Sequence, residues 1–99
     1  MTRILVEVDA DLADLIPGFL DNRRADVRRL REALDADDRD SLRRIGHSLK
    51  GVGGGYGFDT ITDLGLDIES AAIGGDLPAA RAHVDALADY LQQVDVVFR

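Results

Sequence analysis

His47 and Lys50 stand three residues apart in the stretch His47-Ser48-Leu49-Lys50-Gly51, with Arg43 and Arg44 just before it. A neutral imidazole nitrogen is a competent nucleophile near pH 7, because an unperturbed histidine titrates at about 6.5. Residues three apart on a helix are surface neighbours, so the Lys50 ammonium can reach a group carried on His47. It can neutralise the negative charge of a phosphoryl group there. The plain alternative is a solvated surface histidine, since most polar faces simply meet water.

The helix that must position these residues carries Leu42, Ile45, Leu49, Val52 and Tyr56 as its apolar stripe. At about 100° per residue, His47 falls roughly opposite the centre of that stripe and is predicted to face water. Arg43, Arg44, Lys50, Gly51 and Gly54 share its exposed arc. A glycine inside a helix costs about 1 kcal/mol relative to alanine. Gly46, Gly51, Gly53, Gly54 and Gly55 are therefore expensive for one helix, unless the end of the helix frays and Gly57 stops it. Gly51 and Gly54 leave bare backbone beside the imidazole, where a partner surface could approach. The glycines do not form a nucleotide loop: Gly51-Val52-Gly53-Gly54-Gly55-Tyr56 lacks the last glycine of GxGxxG, and no Gly-Lys-Ser/Thr follows a strand.

Around that helix the chain reads as further amphipathic segments. Residues 3–8 have some extended character. Asp9 is placed to cap a short helix reaching about Ile16, and Pro17 suits a bend or the first turn of a new helix. Leu20, Val27, Leu30 and Leu34 recur at helical spacing up to the acidic stretch at residues 35–38, which offers caps for the His47 helix. Phe58, Ile61, Leu64, Ile68 and Ala72 mark the next helix, ending at Gly74-Gly75. Asp76 and Pro78 open the last one, whose stripe is read as Ala80, Val84, Leu87, Leu91, Val94 and Phe98. The predicted fold is all-α: an antiparallel four-helix bundle with a short additional N-terminal helix, one domain over residues 1–99 with its core at about 9–98.

Composition narrows the function. With 19 acids against 12 bases the net charge is −7, which disfavours nucleic acid as the main partner. There is no cysteine, so neither a disulfide framework nor a thiolate zinc site is available. No apolar run approaches the roughly 18 residues of a membrane span, and Ile4-Leu5-Val6 is too short for a signal-peptide core. A cytoplasmic location without membrane insertion is expected. Arg23, Arg24, Arg28, Arg29 and Arg31 cluster in one stretch, read as a solvated face paired with acids or as a docking surface for an acidic partner. A bundle metalloprotein is disfavoured, because the Glu-x-x-His pairs of a di-iron site are missing and His83 stands alone at the edge of its stripe.

The stretch from His47 to Gly57 resembles the histidine-containing phosphotransfer (HPt) family. It has that family's His, x, Leu, Lys, Gly order and a glycine ten residues after the histidine. Ile61, Leu64, Ile68 and Glu69 fall where the family has hydrophobic positions and a glutamate on the following helix. The resemblance covers essentially residues 9–98 and departs in the run Gly53-Gly54-Gly55. It implies His47 as phosphoryl acceptor, Lys50 as electrostatic support, and Gly51 with Gly54 as room for a partner. The chain is also similar to the phosphoryl-accepting domain of chemotaxis histidine kinases, in which the position matching Glu69 can hydrogen-bond and orient the histidine. Leu66 replaces a second polar residue found there. From the residues alone, Glu69 reads equally as a capping or solvated glutamate.

The resemblance further implies a carrier without its own ATP-dependent kinase activity, exchanging phosphoryl groups with the aspartate of a response-regulator receiver domain or with a sensor histidine kinase. It places no cofactor in this chain and Mg²⁺ on the partner receiver. A monomer is expected. The alternative is a non-phosphorylated helical adaptor that binds receiver or kinase domains, against which the retention of both His47 and Lys50 counts.

Overall fold

The computed structural model describes residues 3–99. Four helices form the bundle: α1 (Ile16–Asp35), α2 (Arg39–Val52), α3 (Asp59–Gly74) and α4 (Leu77–Gln93). Two short strands, β1 (Ile4–Val8) and β2 (Val94–Phe98), lie beside it.

Local sequence explains most of the boundaries. Pro17 sits in the first turn of α1, where its missing N–H is no loss. Asp38 caps α2, accepting from the Ser41 amide at 3.1 Å and from its hydroxyl at 2.6 Å. These two hydrogen bonds hold the Asp38 carboxyl below the usual carboxylate range, with burial opposing them and the Arg44 charge adding a lesser pull downward. Asp76 caps α4 in the same way through the Ala79 amide, and Pro78 lies in its first turn.

The bundle closes on Leu30, Leu42, Leu49, Phe58, Ile61, Ile68, Val84 and Leu87, all fully buried. They come from the apolar stripes read in the sequence. Phe19 adds an aromatic cluster, stacking on Phe58 with ring centroids 5.2 Å apart and tilting against Tyr56 at 4.5 Å.

Three boundaries differ from expectation. The short N-terminal helix is a single 3₁₀ turn, Ala10–Leu12, capped by Asp9. The His47 helix ends at Val52 rather than reaching Tyr56; a separate 3₁₀ turn, Gly54–Tyr56, follows, and Gly57 reverses the chain at φ 86°. The glycine run thus lies largely outside the helix, so its helical cost does not arise. Finally, Val94 and Phe98 do not continue the last helix.

Residues 94–98 pair in parallel with β1, in a register running from Ile4 opposite Val94 to Val8 opposite Phe98. The spacing Leu91-Val94-Phe98 fits a helix, but Val94-Val96-Phe98 equally fits a strand. The segment Val-Asp-Val-Val-Phe is rich in β-branched residues, which favour the extended form. A two-stranded ribbon is marginal in isolation. Here Ile4, Val6, Val94 and Val96 pack their shared face on the core, with Val8 buried.

Candidate functional site

α2 displays His47 as the sequence predicts: its side chain is 65% exposed, while Leu42 and Leu49 on the opposite face are fully buried. What the helix does not supply is a partner for the ring. That comes from α3. Glu69 lies on the inner side of α3 with its side chain only 12% exposed, and its Oε2 stands 2.7 Å from His47 Nδ1. Its other oxygen, Oε1, is 3.2 Å from Lys50 Nζ. One carboxylate therefore holds both the histidine and the lysine.

The protonation follows from this geometry. The hydrogen bond with His47 is the largest influence on the Glu69 carboxyl and lowers it below the usual carboxylate range, and contact with Lys50 lowers it further; desolvation opposes both. Glu69 is thus ionised at neutral pH, and an ionised carboxylate only accepts hydrogen bonds. Nδ1 of His47 must be the donor. In the neutral ring the lone pair is then on Nε2, at the edge away from Glu69.

Two glycines let α3 come this close. A Cβ on Gly46 would lie 2.8 Å from the Glu69 amide nitrogen, and one on Gly65 would lie 2.5 Å from that of Lys50. Past the histidine, the surface is open: a Cβ on Gly51 would meet nothing within 4 Å, and one on Gly54 only the Thr62 hydroxyl at 3.8 Å.

A family model described as Hpt domain matches residues 14–96. The chain belongs to the Hpt domain family. No curated protein and no solved structure matches it. As an Hpt domain, its general role is in phosphorelay signalling.

The Hpt domain brings together His47, Lys50 and Glu69, leaves Gly51 on the open surface beside them, and occupies Arg43 and Arg44 elsewhere. Arg43 and Arg44 turn back to Asp40, at 3.0 and 3.1 Å. In the arginine stretch, Arg23 and Arg29 both bind the buried Asp26, Arg24 binds Asp21, and Arg31 reaches Asp85 on α4. Arg23 also lies over the Phe19 ring, 4.9 Å from its centroid. His83 sits at the edge of its stripe, 3.9 Å from an Asp67 oxygen. Among the described residues no group of three or more His, Cys, Asp or Glu side chains could hold a metal ion, and no helix is long and apolar enough to cross a membrane.

Sequence reasoning missed Asp26, Gly46 and Gly65 as structural determinants. The glycines had a signal. Gly46 falls between Leu42 and Leu49, and Gly65 between Ile61 and Ile68, so both sit on buried stripes where a small residue marks a close helix contact.

Proposed function

We propose that His47 accepts a phosphoryl group from the phospho-aspartate of a response-regulator receiver domain and returns it to another aspartate, or receives it from a sensor histidine kinase. The observation that carries this reading is the exposed imidazole whose Nδ1 proton is engaged by Glu69, leaving Nε2 as the nucleophilic atom.

In the transfer, the P–O bond to the aspartate breaks as an N–P bond forms at Nε2, and the carboxylate leaves as an anion. The transition state is loose, so stabilisation comes from position and charge. The ring keeps its Nδ1 proton, and the positive charge it gains on phosphorylation faces the Glu69 carboxylate. Lys50, 3.2 Å from Glu69, is close enough to turn towards the phosphoryl oxygens. Gly51 and Gly54 give the partner's backbone room beside the ring. The Mg²⁺ such a transfer uses is assigned to the receiver. The chain acts as a carrier without kinase activity of its own, as a monomer.

The test is labelling by a phosphorylated receiver. Wild type takes up acid-labile label, and His47→Gln takes up none while retaining its helical circular dichroism. Label that persists on a folded His47→Gln would exclude this role.

A further inference from the structure

α2 and α3 meet backbone to backbone at the functional site. A Cβ on Gly65 would fall 2.5 Å from the Lys50 nitrogen, 2.7 Å from Leu49 Cβ and 2.8 Å from the Gly46 oxygen. A Cβ on Gly46 would fall 2.8 Å from the Glu69 nitrogen and 2.9 Å from the Gly65 oxygen. Backbone atoms cannot swing aside like the end of a flexible side chain, so a methyl at either position forces the helices apart. By contrast, a Cβ on Gly74, also on α3, would meet nothing within 4 Å. Glycine inside a helix costs about 1 kcal/mol relative to alanine. At positions 46 and 65 that cost coincides with the contact that aligns three functional side chains: Gly46 precedes His47, Gly65 abuts Lys50, and Gly46 faces the Glu69 backbone.

We propose that Gly46 and Gly65 are positioning residues, whose close approach fixes the Glu69 carboxylate against His47 and so presents Nε2 to the incoming phosphoryl group. This rests on the carrier role assigned to His47. The distances set its sensitivity. Restoring ordinary contact at about 3.5–4.0 Å requires the helices to part by about 1 Å at Gly65. The same displacement takes the 2.7 Å His47–Glu69 contact past the normal hydrogen-bond range of about 3.2 Å.

The tautomer of His47 reports the contact directly. Imidazole ¹⁵N spectra at about pH 8, above the ordinary histidine range, are compared for wild type, Gly65→Ala, Gly46→Ala and Glu69→Gln. Gly74→Ala controls for an added methyl on α3, and Leu87→Ala for loss of stability away from the site. Wild type and both controls keep the proton on Nδ1; the two glycine variants and Glu69→Gln shift to the tautomer mixture of an uncoupled ring. Phosphoryl uptake from a phosphorylated receiver falls roughly tenfold or more in the glycine variants, as expected for a displacement of this size. The proposal is overturned if folded Gly65→Ala and Gly46→Ala keep the Nδ1 proton, or if Leu87→Ala loses it equally. It is also overturned if neither glycine variant folds, because the contact then serves the fold as a whole. Label persisting on His47→Gln defeats the carrier role alone and leaves the tautomer result standing.

Discussion

His47 and Glu69, twenty-two residues apart and on different helices, are joined by a 2.7 Å contact in which an exposed ring meets a nearly buried carboxylate. The same carboxylate also reaches Lys50. Removing its charge therefore affects His47 and Lys50 together.

Glu69→Gln keeps the size of the side chain but loses the charge that fixes the Nδ1 proton. A charge-assisted hydrogen bond is strong enough for its loss to slow phosphoryl uptake by roughly tenfold. Single-turnover transfer from a phosphorylated receiver measures this, and an unchanged rate would remove Glu69 from the mechanism.

The pH dependence has a definite sign. Glu69 and Asp38 both have carboxyls held below the usual range, by His47 and by Ser41 respectively. A depressed carboxyl stabilises the fold fully above the unfolded-state pKa, near 4.5 for Glu69 and 3.8 for Asp38, and loses that contribution as pH falls through the lower folded value. From about pH 5 downward, the stability difference between wild type and Glu69→Gln, or wild type and Asp38→Asn, should shrink as the pH falls. Urea titrations at several pH values in that range would show it, and a difference that grows across it would contradict the assignment.

Gly57 and Gly55 separate backbone strain from open space. Gly57 holds φ at 86°, where a Cβ is strained, whereas a Cβ on Gly55 would meet nothing within 4 Å. Gly57→Ala should cost about 1–2 kcal/mol, and Gly55→Ala should stay within about 0.5 kcal/mol of wild type. Denaturant midpoints measured on the two variants decide between them, and equal midpoints would argue against the left-handed turn.

The C-terminal strand makes a different forecast from a helix. Val96 lies on the face packed against the core, while Val97 is exposed. Val96→Asp should destabilise by about 1–3 kcal/mol through burial of a polar group, and Val97→Asp by no more than about 0.5 kcal/mol. On the helical stripe of Val84, Leu87, Leu91, Val94 and Phe98, position 96 would be off the core face and tolerant of Asp.

These comparisons show which parts of the molecule were legible in its sequence. Long stripes with caps were readable: Leu42, Ile45 and Leu49 put His47 on the outer face, and Asp38 and Asp76 mark helix starts. Residues 94–98 were not, because a five-residue run fits both periods and only its pairing with residues 4–8 decides. Lys50 was readable as a neighbour of His47 along one helix. Glu69 came into view only through family resemblance, since its reach to the ring depends on how closely α3 approaches α2. That approach was written in Gly46 and Gly65, but a glycine on an apolar stripe shows its partner only when both helices are in place.

The most direct test of the central claim is to phosphorylate the ¹⁵N-histidine-labelled protein with a phosphorylated receiver and find which nitrogen couples to phosphorus. We expect coupling at Nε2 of His47, with the proton still on Nδ1. Phosphorus bonded to Nδ1, or to any residue other than His47, would contradict it.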